Sequence, residues 1–166
     1  MTQALITRRR RIRVLIAFFI VALVSSGLTA IPLRWEVEIL NSWIGLDSGA
    51  RNVWPSLAEW VGRVNDGIQD SYGQYPFLAY GTDWLAFGHI AIAVAFIGPL
   101  RDPLKNLWVV EFGMIACILV IPWALIFGSL RGIPPLWMLI DMSFGILGII
   151  PLWLARRNIL LLAREQ

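Results

Sequence analysis

Cysteine and histidine are almost missing from this chain. Cys117 and His89 each occur once among 166 residues, so an internal disulfide is excluded. A four-ligand zinc site of the usual donors cannot be assembled within one chain either. Charge is scarce as well: Asp, Glu, Lys and Arg make up 15% of the residues, where a soluble domain carries about 25%. No GxxxxGK[ST], GxSxG, HExxH or CxxC occurs, which leaves phosphate-loop, serine-hydrolase, zincin and dithiol mechanisms without support. Internal repeats and low-complexity tracts are absent too, so residues 1–166 are expected to form a single membrane domain. The sequence predicts no cofactor and no metal.

What fills the chain instead is apolar. Hydrophobic residues account for 58% of it, and the mean hydropathy is +0.69. One small core cannot take up that excess, so lipid must cover part of it. The net charge of +3 and the pI near 9.6 do not point to nucleic acid, because the basic residues gather at the ends of apolar segments rather than over a surface with interleaved aromatics.

A spanning helix needs roughly 20 mostly apolar residues. Four stretches qualify: Val14–Leu33, Phe77–Leu100, Leu107–Gly128 and Pro134–Leu154. The expected fold is therefore an all-α integral membrane protein, a bundle of four transmembrane helices. The first stretch also has the features of a secretory signal, with Arg8–Arg11 and Arg13 ahead of the apolar run and Leu28-Thr29-Ala30 after it; it is read here as a retained span.

Outside the spans, Arg8, Arg9, Arg10, Arg11, Arg13, Arg101, Lys105, Arg156, Arg157 and Arg164 fall on one side, with only Asp102 and Glu165 against them. The other side carries Arg34, Arg51, Arg63 and Arg131 with Glu36, Glu38, Asp47, Glu59, Asp66 and Asp70. Since Lys and Arg are retained in the cytoplasm, both termini are expected there, in a multi-pass protein of the cell membrane. Trp35, Tyr75, Tyr80, Trp84 and Trp137 then mark the outer water–lipid boundary, and Trp108 and Trp153 the inner one.

The connection at 34–75 is too long for a simple turn. Trp54, Leu57, Ala58, Val61, Val64 and Ile68 recur at helical spacing, with Pro55 suited to a first turn. Trp35, Ile39, Leu40, Trp43 and Leu46 suggest a shorter companion, so two amphipathic helices are expected on the outer surface. Pro122 is expected to bend the third span. Gly145 and Gly148 share one face of the fourth, where small residues let helices approach closely.

Ionisable groups inside a membrane cost about 2.5–3.5 kcal/mol on insertion scales and are functional candidates by default. Asp83, His89, Glu111 and Asp141 are the four. At 1.5 Å per residue, Asp83 and Asp141 lie about 9 and 10 Å below the outer boundary, His89 about 18 Å down and Glu111 about 6 Å from the inner boundary. Asp83 and Asp141, with His89, Ser25, Ser26, Thr29, Tyr80, Trp84, Trp137 and Ser143, form the candidate ligand pocket, opening outward. The bland alternatives are that the aspartates pair with Arg34 or Arg131 or accept from serine hydroxyls, that His89 makes an interhelical hydrogen bond, and that Glu111 is anchored near Arg101 and Lys105.

Three functions fit. The leading expectation is a non-catalytic binding or accessory component with an outward-facing polar pocket, whose partners are the bilayer, a lipid-like small molecule or other membrane subunits. A membrane enzyme using the aspartates for acid–base chemistry on an amphiphile is the second. The third is a proton- or ion-conducting homo-oligomer working through Asp83, His89 and Glu111. An accessory component predicts that Asp83→Asn and Asp141→Asn mainly alter stability or assembly, a binding protein or enzyme predicts lost ligand binding with the fold intact, and a proton conductor predicts flux abolished by His89→Ala.

Overall fold

The computed structural model describes residues 3–165, and within that range every regular element is a helix. In chain order these are α1 (Gln3–Thr29), α2 (Leu33–Ile44), α3 (Pro55–Gln74), α4 (Tyr80–Ala95), α5 (Ile97–Arg101), α6 (Leu107–Leu130) and α7 (Pro135–Arg164), with 3-10 turns at Gly49–Asn52 and Pro76–Ala79. Four stretches are long and apolar enough to cross a membrane: Leu5–Thr29, Pro76–Arg101, Leu107–Leu130 and Pro135–Arg164. Even the shortest, 24 residues, reaches about 36 Å at the α-helical rise, enough for about 30 Å of hydrocarbon. Large apolar side chains such as Phe18, Leu119, Leu130 and Leu147 stand exposed along them.

The helix limits have local causes. Arginine is a good helix former, so from Gln3 on α1 runs through the basic cluster ahead of the apolar residues. It stops at Thr29 because Pro32 has no N–H to give the Leu28 carbonyl; the Ile31 N–H bonds that carbonyl instead, at 3.3 Å, and Leu33 opens α2. Pro99 likewise cannot serve the Ala95 carbonyl, which is where α4 ends before α5 takes over. α6 and α7 continue through Pro122 and Pro151, each proline withdrawing one bond from the carbonyl four residues back. Past Leu154, α7 persists to Arg164 because Leu152, Ala155, Ile159 and Leu162 are all fully buried at helical spacing. Between α6 and α7 the chain reverses at Gly132, whose φ of 67° only glycine adopts freely. The Ile133 N–H bonds the Gly128 carbonyl at 2.9 Å and the Gly132 N–H bonds the Ser129 carbonyl at 3.3 Å, a Schellman closure that satisfies two orphan carbonyls.

The chain divides into two compact units, a terminal one of Met1–Leu23 with Ile92–Gln166 and a central one of Val24–Ala91. In the terminal unit the core is Ile12, Ile16, Phe19, Phe96, Val109, Val110, Leu152, Ala155, Ile159 and Leu162. The signal-like segment thus contributes three core side chains. Phe19 and Phe96 meet with ring centroids 4.7 Å apart. Glycines set the α6–α7 spacing: a Cβ on Gly145 would strike the Cys117 carbonyl, and one on Gly148 would lie 3.1 Å from the Cys117 Sγ. In the central unit α2 packs on α3. Arg34 Nε donates to Gln69 Oε1, and Gln69 Nε2 returns a bond to the Arg34 carbonyl at 3.2 Å. Val37, Ala58 and Val61 are buried there, whereas Trp35, Trp43 and Trp54 stand exposed.

Candidate functional site

The central unit holds Ser25, Ser26, Thr29, Tyr80, Asp83, Trp84 and His89; the terminal unit holds Glu111, Trp137, Asp141 and Ser143.

Asp83 sits in the first turn of α4, which continues directly from the 3-10 turn Pro76–Ala79. Its carboxylate is exposed and has no hydrogen-bond or ion-pair partner among the described residues of that unit. Arg34, one of the partners the sequence offers it, bonds Gln69 instead. One turn to either side lie aromatic rings. Tyr80 and Trp84 pack edge to face with centroids 5.9 Å apart, and Trp84 and Phe87 do so at 5.4 Å. All three are more than half exposed. Residues 80, 84 and 87 recur at helical spacing, so the ladder forms one stripe of α4 beside the carboxylate.

His89 is half-buried and turned back along its own helix, with Nδ1 2.9 Å from the Leu85 carbonyl. A carbonyl only accepts, so in this bond Nδ1 is the donor. The expected interhelical bond is therefore replaced by one within α4. The physical reason is on α1: Gly27 faces this point, and a Cβ there would lie 2.6 Å from the His89 Cβ and 3.2 Å from the Ala86 carbonyl. The two helices approach closely here, and Gly27 has no side chain to bond the ring. Thr29 spends its hydroxyl on the Ser26 carbonyl at 2.8 Å. Ser25 is exposed and Ser26 half-buried.

In the terminal unit, Glu111 accepts a 2.8 Å bond from Arg156 Nε, joining α6 to α7 with both side chains about 40% exposed. The anchor is thus Arg156 rather than Arg101 or Lys105; Lys105 pairs with Asp102. Asp141 is half-buried and unpaired with Arg131, and Ser143 donates to the Ile140 carbonyl at 2.6 Å. Trp137 is half-buried one turn before Asp141.

Some features were not singled out by sequence. Arg156 needed the α6–α7 register. Gly27 had a signal, being the end of the small-residue run Ser25-Ser26-Gly27. Asn41 Oδ1, Trp60 Nε1 and Asn65 Oδ1 are buried without a partner, and nothing in the apolar periodicity marks them. The central unit also carries a cleft of about 470 Å³ lined by Ile31, Pro32, Arg34, Trp35, Glu38 and Tyr72, among others. None of the expected pocket residues lines it.

Comparison with known proteins finds no matching family model, no matching curated protein and no matching solved structure.

Proposed function

We propose that the protein is a non-catalytic binding or accessory component of the cell membrane, a four-helix bundle with both termini in the cytoplasm and a polar recognition site facing outward. The orientation rests on the basic residues gathered at the termini and at Arg101 and Lys105. In this reading α2 and α3 are amphipathic helices at the outer surface, where the exposed Trp35, Trp43 and Trp54 suit the water–lipid boundary.

The observation that carries the binding reading is the contrast among the polar groups. Glu111, His89, Thr29 and Ser143 are spent on bonds that join or close helices. Asp83 keeps an unengaged carboxylate beside the Tyr80, Trp84 and Phe87 ladder. A carboxylate next to aromatic faces suits a cation carried on an apolar body, because ring quadrupoles attract cations by about 0.5–2 kcal/mol. The ligand class is a cationic amphiphile held at the outer boundary.

The test is titration of the detergent-purified protein with dodecyltrimethylammonium, followed by calorimetry. Asp83→Asn is expected to weaken binding about tenfold, corresponding to loss of one charge-assisted contact, while Asp83→Glu retains it and the fold is unchanged by circular dichroism. Equal binding by wild type and Asp83→Asn would remove the recognition site. A partner-free Asp83→Asn protein that unfolds would leave only the accessory role.

A further inference from the structure

We propose that the cleft between the first turns of α1 and the last turns of α7 binds the phosphate of an anionic glycerophospholipid. The inference rests on reading α1 and α7 as membrane spans. The cleft has a volume of about 550 Å³ and lies wholly within the terminal unit. One face of each helix lines it: Thr7, Arg8 and Arg11 from α1, and Leu154, Arg157 and Asn158 from α7.

Three arginines, Arg8, Arg11 and Arg157, line the cleft. Arg8 gives Nη1 to Glu165, yet a guanidinium has five N–H donors in a rigid fork, so donors remain. Arg11 and Arg157 have no carboxylate partner among the described residues. Arg157 is held over the Trp153 ring at 5.9 Å, which orders its fork without consuming its charge. Like charges gathered in one concave space repel unless an anion enters, and the planar fork matches phosphate oxygens two at a time.

The wall of the cleft favours a lipid as the source of the phosphate. Leu154 and Leu161 line the same cleft, and Leu154 continues into the apolar length of α7. Trp153, about half exposed, is suited to the boundary itself. A ligand with a phosphate at one end and hydrocarbon at the other satisfies both parts, and basic pockets between spanning helices are where lipid headgroups of this kind dock.

The experiment is native mass spectrometry of the full chain in detergent, titrated separately with dioctanoyl phosphatidylglycerol, dioctanoyl phosphatidylcholine and inorganic phosphate. The expected result is one phosphatidylglycerol bound more tightly than the other two probes. The pair Arg11→Gln with Arg157→Gln is expected to weaken it at least about tenfold, as loss of charge-assisted bonds requires. Arg101→Gln with Arg131→Gln removes the same charge elsewhere and is expected to leave it unchanged. Glu165→Gln leaves every arginine in place and is expected to tighten binding, so the site can be read even if the double variant does not fold. Equal loss in both arginine pairs, or no bound phosphatidylglycerol, overturns the site. Phosphatidylcholine binding as tightly overturns the anionic selectivity, and inorganic phosphate binding as tightly overturns the lipid source. If the membrane reading itself is wrong, alkaline carbonate will release the protein from vesicles, an outcome separate from all of these.

Discussion

A carboxylate within an apolar span is tolerable when something offsets the loss of water, and Glu111 has the Arg156 guanidinium at 2.8 Å. Both side chains are about 40% exposed, so their attraction is screened and its net worth is small. A double-mutant cycle on Glu111→Gln and Arg156→Gln should return a coupling of about 1 kcal/mol in detergent unfolding; additive losses would mean that the pair does not hold α6 to α7. That Glu111 is anchored was legible from its position near a helix start. Its partner was not, because one sequence does not say which turn of α7 lies beside which turn of α6. His89 teaches the same lesson. Its place in an apolar segment marks it as unusual, but the choice between a neighbouring helix and the Leu85 carbonyl depends on how closely Gly27 lets α1 approach.

At the scale of elements, the glycines divide by what stands opposite them. Gly145 faces the Cys117 carbonyl, part of the α6 backbone, while Gly128 faces the thioether of Met138, the flexible end of a side chain. Adding a methyl at Gly145 must therefore move a helix, whereas adding one at Gly128 need only turn Met138. Gly145→Ala should cost about 1–3 kcal/mol, the range for overpacking a tight contact, and Gly128→Ala well under about 1 kcal/mol because a methionine can repack. Thermal unfolding of the two variants in one detergent checks this, and equal losses would contradict the close α6–α7 approach. The tight face was readable from the spacing of Gly145 and Gly148. Proline sets the helix ends near Pro32 and Pro99, yet the apolar runs carried the first expected span on to Leu33 and the second to Leu100, and the continuation of α7 to Arg164 was hidden by Arg156 and Arg157. The charges look like a boundary in a hydropathy trace, yet Ala155, Ile159 and Leu162 carry the buried stripe past them. On α2, Trp35 and Trp43 stand exposed, and the smaller Val37 is the buried residue.

For the whole molecule, composition and charge carry the argument. Four apolar helices account for the hydropathy, and the ten basic residues at the termini and the Arg101–Lys105 turn are the basis of the proposed orientation. In the proposed topology four crossings return the chain to its starting side, which puts both ends and that turn in one compartment and α2, α3 and Arg131 in the other. The most direct measurement is labelling of intact cells with a membrane-impermeant maleimide. A Cys117→Ser background would carry one new cysteine at a time: Arg10→Cys, Lys105→Cys and Arg164→Cys on the inner side, Glu59→Cys, Asp70→Cys and Arg131→Cys on the outer. The account predicts that the last three label at once and the first three only after the membrane is permeabilised. Labelling of Arg10→Cys or Arg164→Cys in intact cells, or protection of Glu59→Cys, would contradict it.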